Sequence, residues 1–197
     1  MINILKKIFY TIIKAIVYCF YPIYFLYQRF IINSFEQMVG TYWVNRIKNR
    51  GEDLRIHGSI KIIAPGNFEI GDYCRIGKGC FFLCVGGLKV GNNVQFSRNI
   101  TIYTANHNYK SDMLPYNNEY ITEQVIIGDN VWIGMNASIL PGVKIGNNAI
   151  IGLGSIITKD VPDNAIVVGN NKIIKYRTPE QLELSKNNYF GKSFPNA

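Results

Sequence analysis

Isoleucine recurs at every sixth position at 127, 133, 139, 145, 151 and 157, and four residues after each stands a small or branched side chain: Val131, Ala137, Val143, Ala149, Ser155 and Val161. Neither the 3.6-residue helical period nor the two-residue strand period accommodates a strict six, so amphipathic helices and simple hairpins are excluded for this stretch. A period of this kind belongs to a solenoid. If each hexad forms one flat side with its isoleucine directed at the axis, three hexads close a triangular coil, and coils stack through parallel-strand hydrogen bonds about 4.8 Å apart. The same phase runs upstream through Ile70, Ile76 and Phe82 and, after a two-residue slip at Gly86-Gly87, through Val90, Phe96 and Ile102. From Leu54 to Val161 there is room for about five coils, a column of roughly 24 Å. Gly128, Gly134, Gly146 and Gly152 follow the isoleucines and are expected to turn the corners in a left-handed backbone conformation.

Three runs carry a resemblance: Ile-Gly-Asp-Asn-Val-Trp-Ile-Gly at 127–134, Pro-Gly-Val-Lys-Ile-Gly at 141–146, and Ile-Gly-Leu-Gly-Ser-Ile-Ile-Thr-Lys-Asp-Val-Pro at 151–162. Over about residues 54–177 the chain resembles the hexapeptide-repeat acyltransferases, in the branch of sugar, xenobiotic and surface-polysaccharide O-acetyltransferases. The resemblance implies a mainly β fold, a left-handed parallel β-helix, with homotrimeric assembly and acetyl-coenzyme A as acyl donor. It further implies direct transfer to an acceptor hydroxyl.

The repeat stops after Ile102 and resumes near Val125, leaving a loop at 106–124, and an interruption of this length in a compact solenoid is usually functional. His107 stands at its mouth. In the resembling enzymes a histidine at this place is the general base, a task suited to an imidazole because it is largely unprotonated near neutral pH. By the same likeness coenzyme A lies against the hexad corners at Gly134 with Met135, Leu153 with Gly154, and Thr158 with Lys159, beside Trp132. Lys172, Lys175 and Arg177, in a closing segment, are its candidate phosphate partners. That segment departs from the family pattern, with Asn171 in place of Pro-Ala. The family's asparagine upstream of the histidine also has no counterpart in Cys80-Phe81-Phe82-Leu83-Cys84, which argues against simple thiogalactoside and maltose substrates. Acceptor contacts are expected from the loop, at Asn106, Tyr109 and Asp112. His57 reads as a solvent-facing rung residue.

Zinc chemistry on the same prism, as in carbonic anhydrases, needs three protein ligands. The chain has two histidines fifty residues apart, and Cys74 and Cys80 fall at inward hexad positions, so no metal is expected. Four irregularly spaced cysteines are no disulfide scaffold and indicate a reducing compartment.

The formal charge is +8, but seven basic residues and one acidic residue fall within positions 1–50, which points to an anionic membrane surface rather than nucleic acid. Ile8–Ile32 is rich in Ile, Tyr and Phe, and its longest uncharged run, Ala15–Gln28, is 14 residues, shorter than a spanning helix wants. The expectation is a monotopic helix, kinked near Pro22, holding the protein to the inner face of the cytoplasmic membrane through residues 1–32. A helix packed on the chain's own domain or on a sister subunit is the alternative. Three zones follow: a helical segment at 1–50, the β-helix at 51–177, and a tail at 178–197 whose Thr178-Pro179-Glu180-Gln181 opens a short helix to about residue 188. The function expected is acetyl transfer to a hydroxyl of a glycan, a surface-polysaccharide or lipid-linked intermediate. A small hydroxylated compound as acceptor and a non-catalytic trimeric scaffold are the alternatives.

Overall fold

The computed structural model describes residues 2–184. Its centre is a parallel β-helix of about six turns, so the five expected coils are one too few. The first face stacks Asn49–Arg50, Phe68–Ile70, Leu88–Val90, Val125–Ile127 and Lys144–Ile145. The second stacks Arg55–Ile56, Arg75–Ile76, Gln95–Phe96, Trp132–Ile133, Ile150–Ile151 and Ala165–Val168, and is extended by the antiparallel strand Lys172–Tyr176. The third stacks Lys61–Ile63, Phe81–Leu83, Thr101–Tyr103, Ser138–Ile139 and Ile156–Ile157. Outside the 127–161 hexads, Asn49–Arg50, Arg55–Ile56 and Lys61–Ile63 add a coil at the N-terminal end, and Ala165–Val168 begins one at the other.

The hexad phase is the core. Each of the six periodic isoleucines is at most 2% exposed, and their i+4 partners at most 3%. At roughly 1.5–3 kcal/mol for burying such a side chain, these axial ladders dominate the stability of the column. Registers show why the upstream phase slips: Ile56 pairs with Ile76 and Ile76 with Phe96, twenty residues apart, whereas Ile133 pairs with Ile151 at eighteen. The extra residues sit at the corner leading back to the first face, as a 3₁₀ turn at Pro65–Asn67 and as the bend around Gly87, whose φ is +96°.

The corner glycines do not do what the sequence reading expects. The left-handed conformation is taken two residues later, by Asn130, Asn136 and Asn148, and by Gly142 and Gly154. Gly128, Gly134 and Gly146 are required instead by close approach of the next coil: a Cβ on Gly134 would lie 2.7 Å from the Leu153 amide nitrogen. Asparagine tolerates φ > 0 because its short amide bonds locally. Here these amides also chain along the column, Asn93 donating to Asn130 at 2.9 Å, Asn130 to Asn148 at 3.1 Å and Asn148 to Asn164 at 2.9 Å.

The N-terminal end of the prism is plugged. Helix α1 (Ile2–Tyr27) runs through Pro22 without ending; the irregularity is a π-helical turn at Gln28–Ile32, one to two turns beyond the expected kink, and α2 (Asn33–Val44) follows. Helix α2 seats on the first coil. Gln37 bridges the rim, its Nε2 donating to the Ile56 carbonyl at 2.8 Å and its Oε1 accepting from the Gly58 amide at 3.1 Å. Gly40 leaves no room for a Cβ against Gly58, and Val44 and Ile47 join the core. Helix α1, by contrast, leaves its large side chains from Leu5 to Tyr27 43–71% exposed, so no packing on the chain's own prism is observed among the described residues. Counted with its continuation, Leu5–Val44 is long and apolar enough by length and composition to cross a membrane, against the sequence expectation of a helix too short to span. At the other end Thr178 and Gln181 form the expected reciprocal cap of α3 (Pro179–Leu184). The expected extension to about 188 lies outside the described residues.

Close coil contact and corner conformation make separable demands. Gly134→Ala should lower unfolding free energy by about 1–3 kcal/mol in urea titration, the range for overpacking a tight site. Asn136→Gly, which relieves a left-handed non-glycine residue, should be neutral within about 1 kcal/mol.

Candidate active site

The interruption of the repeat is a hairpin standing on the corner between the third and first faces. Thr104, fully buried, closes its root: its Oγ1 donates to the Leu83 carbonyl at 2.7 Å and accepts from the Gly86 amide at 2.8 Å. Ala105–His107 then pairs antiparallel with Tyr120–Thr122, His107 opposite Tyr120. The loop beyond is tied by the Glu119 carboxylate, which accepts from Asn117 at 3.0 Å and Asn108 at 3.1 Å and is thereby held below its ordinary pKa.

His107 is held between two aromatic rings, stacked on Tyr116 at 3.9 Å and tilted against Tyr120 at 4.6 Å. Its Nδ1 is buried and has no hydrogen-bond partner among the described residues. A buried nitrogen left unsatisfied costs about 1–3 kcal/mol, and such a group in a folded chain calls for an explanation such as a catalytic role. Asn106 is exposed and points to the opposite side of its strand from His107, because neighbouring residues alternate. Tyr109 and Asp112 are exposed further out along the loop. None of these three is brought against His107.

A groove of about 730 Å³ lies elsewhere, on the outer side of the second face. Trp132, Met135 and Arg177, three of the expected coenzyme residues, line it together with Asn148, and His107 does not. Trp132 Nε1 donates to Ser97 Oγ at 3.3 Å, which orients the indole. Arg177 Nε donates to the Asn148 carbonyl at 2.6 Å, and burial pulls its pKa down. Gly134, Leu153 and Gly154 stand at the neighbouring corner, between the second and third faces, where the Gly154 amide bonds the Met135 carbonyl at 2.8 Å. Thr158 and Lys159 are on a different corner, the one that carries the His107 hairpin one face away from Trp132. Their amides are taken by Asn171 Oδ1 at 2.7 and 3.2 Å, so they are not free to hold a ligand in this arrangement. Lys172 and Lys175 are exposed on the edge strand.

His57, expected to be a solvent-facing rung, is exposed and also lines the groove. Burial, then Arg75, Arg55 and Arg98, hold its imidazole below the ordinary value. The signal available in sequence was the register: His57, Gly77 and Ser97 are twenty apart and stack at one corner, but only once the coil length is known. The inward cysteines behave as small core groups, with burial pushing Cys74 and Cys80 up to about 11 and Cys84 to about 12. Among the described residues no three His, Cys, Asp or Glu side chains gather as a metal would require.

Residues 124–159 match the family described as bacterial transferase hexapeptide (six repeats). A galactoside O-acetyltransferase of Lactococcus lactis is 44% identical over 86 residues, 44% of this chain and 41% of that one. A putative colanic acid biosynthesis acetyltransferase of Escherichia coli is 22% identical over 173 residues, 87% of each chain. A hexapeptide-repeat acetyltransferase of Vibrio cholerae, solved in complex with acetyl-coenzyme A, superimposes with a TM-score of 0.61 at 21% identity over 74% of this chain and 88% of that one. The chain spans about half the length of the first curated relatives it matches.

The placement of His57 has a direct check. Its ring protons should titrate by NMR with a midpoint below pH 6.5 and move upward in Arg75→Gln; a midpoint at or above 6.5 contradicts the placement. The sign for stability follows: below that pH the unfolded chain binds the proton more readily, so this group opposes folding increasingly as pH falls.

Proposed function

We propose that this chain, a hexapeptide-repeat protein of the bacterial transferase type, is an acetyl-coenzyme A-dependent O-acetyltransferase that modifies a hydroxyl of a glycan, with His107 as general base and the site shared between subunits of a homotrimer. The observation that carries the reading is the unpartnered Nδ1 of His107 on a hairpin that projects beyond its own prism.

The outer sides of the three faces differ. The first exposes Glu69, Lys89 and Lys144, while the third presents Phe81, Leu83, Tyr103, Leu140 and Ile156, the last three 36–45% exposed. An apolar face of this kind is what a stable self-association covers. In a cyclic trimer with that face turned to the axis, the corner between third and first faces of one prism meets the corner between second and third faces of the next. The partner subunit's His107 then arrives beside Trp132 and Met135. This is why the base and the groove need not meet within one chain.

The groove suits the coenzyme: Trp132 and Met135 offer an apolar wall for the pantetheine arm, and Arg177 a cation for its phosphates. The bound coenzyme supplies an acetyl thioester. His107, with its ring plane fixed by Tyr116 and Tyr120, would take the proton from the acceptor hydroxyl as its oxygen bonds to the acetyl carbonyl, which corner amides would polarise; the thioester C–S bond would then break and the imidazolium return the proton to the departing coenzyme A thiolate. Helix α1, rich in exposed apolar and aromatic side chains with Lys6, Lys7 and Lys14 in its first half and Arg29 beyond its end, is the membrane attachment in this reading, which would put the prism at the inner face of the cytoplasmic membrane near lipid-linked acceptors.

His107→Ala should lower acetyl transfer by about 10²–10⁴-fold, the usual worth of a general base, with coenzyme affinity unchanged by calorimetry. Activity within tenfold of the wild type contradicts the assignment. Deleting residues 1–32 should abolish co-flotation with anionic liposomes while leaving the prism folded by circular dichroism; undiminished flotation contradicts the attachment.

A further inference from the structure

The groove of the second face continues past Trp132 toward the plugged end of the prism, and that half has no part in the reading above. His57, Arg75, Gly77, Ser97 and Arg98 line it, and no Asp or Glu lines the groove anywhere. Arg75 is half-buried on the outer side of its strand and Arg98 stands at the next corner. Neighbouring Arg55 is paired with Asp53 at 3.0 Å. Between these positions Gln95 presents a buried Oε1 with no hydrogen-bond partner, while its Nε2 donates to the Tyr73 carbonyl at 3.3 Å. The groove wall therefore combines guanidinium groups, an orphaned acceptor and an indole. His57, lowered first by burial, is lowered further by Arg75, Arg55 and Arg98, whose charges all act on this part of the groove.

A neutral sugar is generally held by carboxylates and amides that accept from its hydroxyls, and the groove wall has no carboxylate. Planar guanidinium forks match phosphate oxygens in pairs. We infer that this half of the groove is the acceptor subsite, and that the acceptor is a glycan carrying a phosphate or diphosphate, whose oxygens pair with Arg75 and Arg98 while Gln95 Oε1 receives a sugar hydroxyl. The inference rests on the transferase reading and narrows its substrate class. The subsite lies in the coils next to α2, the end from which α1 leaves. A lipid-linked diphosphate and a nucleotide diphosphate share this chemistry.

The test uses the full-length protein in neutral detergent, titrated calorimetrically with inorganic pyrophosphate, farnesyl diphosphate, uridine diphosphate glucose, methyl glucoside and coenzyme A. Pyrophosphate should bind and methyl glucoside bind at least tenfold more weakly. Arg75→Gln and Arg98→Gln should each weaken pyrophosphate at least tenfold and coenzyme A less than twofold. Whichever of the two conjugates binds more tightly than pyrophosphate identifies the source. Unchanged pyrophosphate affinity in both variants, methyl glucoside binding as tightly as pyrophosphate, or a parallel loss of coenzyme affinity overturns the inference, the last by giving the arginines to the coenzyme. Failure of the wild type to bind coenzyme A counts against the transferase reading alone, since pyrophosphate still decides the anion site. Should Arg75→Gln not fold, Arg98→Gln, at an exposed corner, carries the comparison.

Discussion

The inward stacking of one aliphatic residue per hexad is the interaction on which everything else in this chain depends. Because each rung lies directly over the one below, coils must be of nearly equal length, their corners must superimpose, and any extra residues must be expelled sideways. The hairpin carrying His107 is such an expulsion: the coil from Phe96 to Ile133 takes 37 residues, and the surplus leaves the column at one corner between the buried Thr104 and Glu123. A rigid column thus gives the loop a fixed root, and the imidazole a fixed position relative to the faces. A loop held in this way suits chemistry that needs a base aimed at a site outside its own subunit.

The corners explain how so short a repeat tolerates polar residues next to a dry core. One corner carries an asparagine in the left-handed conformation on each of four successive coils, Asn93, Asn130, Asn148 and Asn164, with amides bonded in series. Beside it runs a second ladder, in which Asp72, Asn92, Asp129, Asn147 and Asp163 each accept from a backbone amide of the preceding coil. These bonds satisfy backbone groups that the turning chain would otherwise leave open. They also account for the glycines. A Cβ there would occupy the space used by the capping side chain or backbone of the coil above.

The prism was legible from the spacing of isoleucines alone, including the upstream phase, because burial on one axis writes a period that nothing else produces. The function of Gly128 or Gly134 was not, since close approach and positive φ select the same residue and only the coordinates tell them apart. Likewise the place of the interruption identified His107, but the two tyrosines around it and its unsatisfied Nδ1 depend on the hairpin register of Ala105–His107 with Tyr120–Thr122. His57 was legible as an exposed rung, but not as part of the groove, because stacking across twenty-residue coils places it over Gly77, a relation invisible until the extra residues per coil are counted. Helix α1 was recognised as apolar and aromatic, yet its exposure follows from α2, whose Gln37 and Gly40 fix the rod to the first coil and direct it away from the prism.

The central claim of the account is that base and groove belong to neighbouring subunits. Co-expression of two differently tagged chains, His107→Ala and Trp132→Ala, followed by purification through both tags and an acetyl-transfer assay, tests it most directly. If the site is shared, mixed trimers pair an intact His107 on one chain with an intact groove on the next and recover activity that neither variant has alone. If each subunit holds a complete site, the mixed trimers are no more active than the two variants by themselves, and the account is contradicted.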